Sequence, residues 1–217
     1  MLWLEDLREL VTSPVALAVE SDPAMSAPSQ LRQLGRNAAR AALASLGADP
    51  GDLAAGPHGP TWPERIVGSI AHTGGTAVAI AAHSHDRAAL GIDIERSDRT
   101  ITARVLTKIS TETERAWLRT AGAEMPLLLF CAKEATYKAL SRFGRHPVSF
   151  VDVSFEPAAP DLLVGTLEPA AAPFGALTEV NARTLLAGGY ALAVIEVGAS
   201  LPPSSRAGRE RVARDSR

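Results

Sequence analysis

Apolar residues recur near helical spacing over residues 30–46: Leu31, Leu34, Ala38, Ala42 and Leu46 form one stripe, and Gly47 follows as a terminator. The spacing predicts a helix there. Before it stand a short apolar run, 15–19, and a Ser/Pro-rich break, 21–29. After it a Gly- and Pro-rich stretch, 47–63, leads to three strand-like runs at 66–72, 77–82 and 88–95. Gly74-Gly75 and His85-Asp86 separate them, which predicts an antiparallel meander.

The second half of the chain follows the same order loosely. A helix is predicted at 111–120 and a longer one at 126–143, opened by a proline and closed by Gly144. Strand-like runs follow at 150–155, 162–167, 177–184 and 190–197. The fold class expected is therefore α+β, with two similar halves, 1–97 and 98–199, each a long helix on an antiparallel sheet. They join near residues 97–104. Residues 200–217, rich in Pro, Ser and Arg and without apolar periodicity, read as a solvated tail.

Composition narrows the function classes. With 217 residues, 46% hydrophobic and 21% charged, the chain can bury a proper core. A net charge of -2 supplies no global field for nucleic acid or an anionic membrane, so anion binding has to be local. The lone Cys131 cannot form an internal disulfide. The first residues carry acids where a signal peptide needs a basic and then an apolar run, and no stretch approaches ~20 apolar residues. A cytoplasmic monomer with no nucleic-acid or membrane partner is the expectation.

Four groups of residues carry candidate chemistry. In Gly91-Ile92-Asp93-Ile94-Glu95, positions two apart share a face of a strand, so Asp93 and Glu95 present carboxylates ~6 to 7 Å apart while Ile92 and Ile94 pack behind. Such a pair suits a hard cation such as Mg²⁺, and equally the polar edge of an amphipathic strand. In the long helix, Glu134 and Lys138 are four apart on one face with Lys133 on the flank, which is also the spacing of an ordinary surface ion pair. Arg32, Arg36 and Arg40 repeat every four residues along the first helix. Their mutual repulsion invites an anion, either a phosphate or an acid such as Asp49 or Asp52. Ser69 and His72 stand where a strand runs into the Gly74-Gly75 turn, a place where backbone and a ligand can meet closely. Trp62 reads as core, Cys131 as a buried thiol, and His83-x-His85 as a solvated turn.

Taken together, the helix 34–40, the run from Trp62-Pro63 through Gly68-Ser69-Ile70-Ala71-His72-Thr73, the Gly91–Glu95 strand, and Lys133-Glu134-Ala135 with Lys138 resemble the 4'-phosphopantetheinyl transferase family. The likeness is to its larger single-chain branch, of the surfactin type and the type of enterobactin synthase component D. It spans residues 32–143. The resemblance implies two α+β halves about a pseudo-twofold axis with coenzyme A between them. It further implies Mg²⁺ held by Asp93, Glu95 and Glu134, and Glu134 as general base toward a serine of an apo acyl or peptidyl carrier protein. Lys138 is then the partner of the departing 3',5'-ADP, with Arg32, Arg36, Arg40, Ser69, His72 and Lys133 as coenzyme A contacts. Phe130 replaces the Trp usual in the motif, and the loop 54–58 lacks the basic residue that many relatives carry there. Two other readings use the same residues: a Mg²⁺-dependent hydrolase of a nucleotide-like diphosphate, and a non-catalytic coenzyme A or carrier-protein binding module. The linker 97–109 and the region 142–146, with Arg142 and Arg145, are the expected carrier-facing surface.

Overall fold

The computed structural model describes residues 3–25, 27–51, 53, 55–56, 59–141, 148–168 and 177–199. In chain order its elements are α1 (Trp3–Glu9), β1 (Ala16–Ser21), α2 (Pro28–Ser45), β2 (Ala55–Gly56), β3 (Gly59–Pro60), β4 (Ile66–Thr73), β5 (Thr76–His83) and β6 (Arg87–Arg96). There follow α3 (Ala103–Ile109), α4 (Glu112–Leu118), α5 (Met125–Leu140), a 3-10 turn (Phe150–Asp152), β7 (Val153–Ala159), β8 (Leu162–Leu167), β9 (Glu179–Ala187) and β10 (Tyr190–Gly198). The fold class is α+β, as the sequence predicts, and no helix among the described residues is long and apolar enough to cross a membrane.

Alternation along the strands decides what packs where. On β5, Ala77, Ala79 and Ala81 face α2 with Leu34, Ala38, Ala39, Ala42 and Leu43, while Val78, Ile80 and Ala82 face a central cluster with Leu7, Leu10, Leu90, Ile92, Ile94, Leu192 and Val194. The alanines on the α2 side allow close approach between helix and strand. From Ala89 onward strand β6 alternates in the same way: Leu90, Ile92 and Ile94 join the central cluster, and the odd positions turn to α5. Helix α5 lays Ala132, Ala135 and Ala139 on β6 and β10 and is buried over most of its length, with β9, α3 and the 3-10 turn as further neighbours.

The meander predicted for the first half is corrected by the topology. The first sheet runs β1-β5-β4 and the second β6-β10-β9-β8-β7. With β4 on one edge of β5 and β1 on the other, no edge of β5 remains for β6, which pairs antiparallel with β10 instead. The sheets meet where the Ile92 N–H of β6 donates to Ser69 Oγ of β4 at 3.1 Å. Helices α1 and α3 were not expected from the pattern. The run 150–155 begins as a 3-10 turn in which Asp152 accepts from the Ser149 N–H at 2.7 Å, and only then becomes β7. The proposed stop at Gly144, the arginines at 142 and 145, and the tail 200–217 lie outside the described residues.

Among the described glycines, the tightest surroundings are those of Gly91, where β6 crosses α5. A methyl group built on Gly91 would run into the backbone carbonyl of Ala135 and would sit 3.0 Å from the Ala139 methyl. Only the absence of a side chain lets the strand lie on the helix. Substitution Gly91→Ala is therefore expected to destabilise the protein by about 3 kcal/mol or more, because a backbone carbonyl cannot swing aside as a side-chain end can. Urea denaturation checks this, and a loss of under about 1 kcal/mol would show that the crossing tolerates a methyl.

Candidate active site

The crossing of β6 and α5 brings Asp93 and Lys138 into contact, with Glu95 further along the same strand and Glu134 on the same helix. Asp93, the odd-numbered neighbour of Gly91, is 6% exposed, and its Oδ1 accepts from Lys138 Nζ at 2.6 Å. The same ammonium donates to the Ile92 carbonyl at 3.1 Å. The other oxygen, Asp93 Oδ2, is buried with no hydrogen-bond partner. Glu134 stands one turn before Lys138 on α5. Burial raises its pKa, the Asp93 charge raises it further, and Lys138 and Arg99 act against them. Glu95, half-buried at the end of β6, is ion-paired with Arg99 and receives a long hydrogen bond of 3.5 Å from Thr73 Oγ1. Its pKa is also raised, by burial first, against the opposing charge of Arg99.

The donor chemistry of this cluster fits a divalent cation: three carboxyl groups, one of them with an orphaned buried oxygen, against the two cations Lys138 and Arg99. Formal charge leaves one negative in excess. Among the described residues, however, no three His, Cys, Asp or Glu side chains are gathered so that they could hold a metal ion as they stand. Internal cations occupy Asp93 and Glu95.

Beside the carboxylates lies a pocket of about 260 Å³, between α2, β4 and the loop bearing β2 and β3. Arg32, Arg36 and His72 line it, together with Gly35, which packs without a side chain against Ile70. Among the described residues none of Arg32, Arg36 and Arg40 is in an ion pair, so no described acid compensates them. Asp52, one of the acids considered above, lies outside the described residues. His72 stands between the two groups. Partial burial lowers its pKa first, Lys138 and Arg32 lower it further, and a backbone hydrogen bond and Asp93 raise it.

Three of the expected contacts are placed elsewhere. Lys133 is 1% exposed; its ammonium is 2.7 Å from Glu114 Oε1 and 2.7 Å from the Phe150 carbonyl, and it also donates to the Val153 carbonyl. It ties α5 to α4 and β7 inside the core and does not line the pocket. The physical reason is rotation: one residue round the helix from Glu134 is the flank that α4 and β7 cover. Ser69 is 5% exposed, with its hydroxyl accepting from the β6 backbone. Arg40 rests on Asn37 Oδ1 at 3.4 Å and does not line the pocket. Trp62 and Cys131 are buried as expected, and burial pushes the Cys131 thiol well up.

Two residues escaped the sequence reading. Glu114 serves both ends of a polar knot: Oε2 accepts from the Thr111 N–H at 2.6 Å, completing a capping box, and Oε1 accepts from the Phe155 N–H at 2.7 Å. The Thr111-x-x-Glu114 spacing was the available signal, although it marks a helix start and says nothing of Lys133. The other is Arg99, whose guanidinium lies 4.4 Å from the centre of the Phe130 ring.

Comparison with known proteins bears on the same residues. The family model described as "4'-phosphopantetheinyl transferase superfamily" matches residues 89–195, and that described as "4'-phosphopantetheinyl transferase N-terminal domain" matches residues 33–82. The first match contains Asp93, Glu95, Glu134 and Lys138, and the second contains Arg36 and His72. The chain belongs to the 4'-phosphopantetheinyl transferase family. Among individual relatives, it is 45% identical over 107 residues to 4'-phosphopantetheinyl transferase Npt of Nocardia iowensis, covering 48% of this chain and 48% of the relative. It is 36% identical over 156 residues to 4'-phosphopantetheinyl transferase Svp of Streptomyces mobaraensis, covering 67% and 61%. It is 42% identical over 84 residues to enterobactin synthase component D of Escherichia coli K12, covering 37% and 39%. The chain thus spans about half the length of the curated relatives it matches. Among solved structures, holo-[acyl-carrier-protein] synthase of Thermotoga maritima aligns with a TM-score of 0.41 at 22% identity, over 51% of this chain and 62% of that one.

The Lys133–Glu114 pair makes a stability prediction. Lys133→Met strands a buried carboxylate and is expected to destabilise by about 3 to 5 kcal/mol, whereas Lys133→Met with Glu114→Gln recovers much of the loss. A double-variant loss equal to the sum of the losses in Lys133→Met and Glu114→Gln, by urea denaturation, would show that the two residues act independently.

Glu95 and Glu134 predict a pH dependence. Both hold their protons more tightly folded than unfolded, so their contribution to stability is full below the ordinary glutamate range near 4.5 and is lost as pH rises through the raised folded values. Glu134→Gln, which resembles the protonated group, should therefore raise the Tm relative to wild type more at about pH 7.5 than at about pH 4. A difference that stays flat or shrinks with pH contradicts the assigned shift.

Proposed function

We propose that the chain transfers the 4'-phosphopantetheine arm of coenzyme A to a serine hydroxyl of an apo acyl or peptidyl carrier protein and releases 3',5'-ADP. The observation that carries this reading is the contact of Lys138 from α5 with Asp93 of β6, with Glu134 one turn away on the same helix, and a pocket that offers Arg32, Arg36 and His72 to phosphate. Family membership and the names of the relatives support the same reaction class.

Each residue type suits a task in that reaction. The Arg32 and Arg36 guanidiniums bind phosphate oxygens through paired donors, and His72 adds a donor that phosphate would help to protonate. Glu134, whose carboxyl is raised above the ordinary glutamate range by burial and then by Asp93, takes the proton from the attacking serine oxygen. The serine oxygen forms a bond to the β-phosphorus while the bond from that phosphorus to the bridging oxygen breaks. Lys138 donates to the phosphate that departs. Asp93, Glu95 and Glu134 would hold Mg²⁺, which when bound neutralises and aligns the diphosphate. Phosphoryl transfer asks for little covalent help from the protein, and none is built here: the thiol of Cys131 is buried with its sulfur 3.5 Å from the Ala191 carbonyl.

The test is intact mass spectrometry of an apo carrier protein incubated with the full chain, coenzyme A and Mg²⁺. The carrier should gain about 340 Da, and the gain should disappear on chelation and fall by at least about 10²-fold in initial rate with Glu134→Gln. Cleavage of coenzyme A with no mass gain on any carrier would point instead to a hydrolase that uses water as acceptor.

A further inference from the structure

The two internal cations of the site differ in kind. Lys138 comes from α5 and belongs to the proposed transfer machinery. Arg99 comes from the connection between β6 and α3, its side chain is 41% exposed, and it does not line the phosphate pocket. Both oxygens of Glu95 are engaged by side chains, Oε1 by Arg99 and Oε2 by the long bond from Thr73. Arg99 is the sole full positive charge paired with Glu95 among the described residues, because neighbouring Arg96 is committed to Asp98 through two hydrogen bonds of 3.1 and 2.8 Å.

We propose that Arg99 is a positioning residue that competes with a divalent cation for the Glu95 carboxylate and so sets how tightly the site takes the ion. This rests on the reading of Asp93, Glu95 and Glu134 as ligands. A hard cation needs a free lone pair on Glu95, and it cannot share the carboxylate with a guanidinium without repulsion between the two positive charges. The Phe130 ring, 4.4 Å below the guanidinium carbon, gives Arg99 a second favourable contact to keep when the carboxylate turns away. The exchange is therefore local: one ion pair is traded for a metal bond, while the guanidinium remains over the ring. The connection 97–102, which carries Arg99 into α3, is where the consequence would be felt.

The experiment uses Mn²⁺ alone, titrated into the full chain and followed by electron paramagnetic resonance of the free ion, for wild type, Arg99→Gln, Arg99→Lys and Glu134→Gln. Removing the competing charge should tighten the Mn²⁺ Kd by about threefold or more in Arg99→Gln and by less in Arg99→Lys, which keeps the charge but loses the planar fork. Glu134→Gln should weaken it. If Arg99→Gln leaves the Kd unchanged or weakens it while Glu134→Gln still weakens it, the competition is refuted and the ligand reading stands. If wild type binds no Mn²⁺, or Glu134→Gln has no effect, the ligand reading itself fails and the proposal falls with it. Should Arg99→Gln not fold, Arg99→Lys alone decides: a Kd no tighter than wild type is the overturning result.

Discussion

Everything at the site depends on two backbones touching. Gly91 of β6 lies against the carbonyl of Ala135, and this contact sets the height and rotation at which α5 crosses the strand. Two residues along β6 from that point is Asp93; on α5 the residue before it is Glu134 and three after it is Lys138. A helix held one side chain further away could not bring the Lys138 ammonium to 2.6 Å from Asp93. The short motifs that look separate in the sequence are thus two halves of one steric fit.

That fit is stiffened from behind. Lys133 and Glu114 form an ion pair in which neither side chain is exposed, with backbone groups of Thr111, Phe150, Val153 and Phe155 satisfying the remaining donors and acceptors. A buried pair of this kind adds little net stability compared with well-packed apolar groups, yet it tolerates only one arrangement. The front of α5 carries the opposite design. There burial and like charge hold Glu95 and Glu134 in an environment that disfavours their ionised forms. One helix therefore carries a satisfied charge on its core side and poorly satisfied charges on its open side, as expected where binding chemistry is placed on a rigid support.

How far the sequence could be read depended on whether a residue's role was local. Period-two alternation placed Asp93 and Glu95 on one face and Ile92 and Ile94 on the other, and helical spacing found α2 and α5 to within a few residues at each end. The pocket arginines Arg32 and Arg36 were legible for the same reason. What failed was everything that depends on a distant partner. The destination of β6 turns on both edges of β5 being taken, which no spacing within 66–95 reveals. Lys133 looks like a flank residue until α4 folds over it, and Ser69 looks exposed until the β6 amide reaches it. Leu53, Gly56, Gly59 and Pro60, which line the pocket, sit in a Gly- and Pro-rich stretch whose pattern says only that it is not a long helix or strand.

The path of β6 has a consequence for how the molecule can be divided. The strand precedes the connection between the halves in the chain, yet its hydrogen bonds go to β10, near the other end. A polypeptide nicked between β6 and α3 would yield one piece with a bare strand and another with a bare sheet edge, each lacking the half-site that the other carries. The cut would also split the central cluster, in which Leu192 and Val194 of β10 pack with Leu90, Ile92 and Ile94 of β6. Reassociation would restore the pairing of β6 with β10 and the whole site, which makes this junction a natural position for fragment complementation.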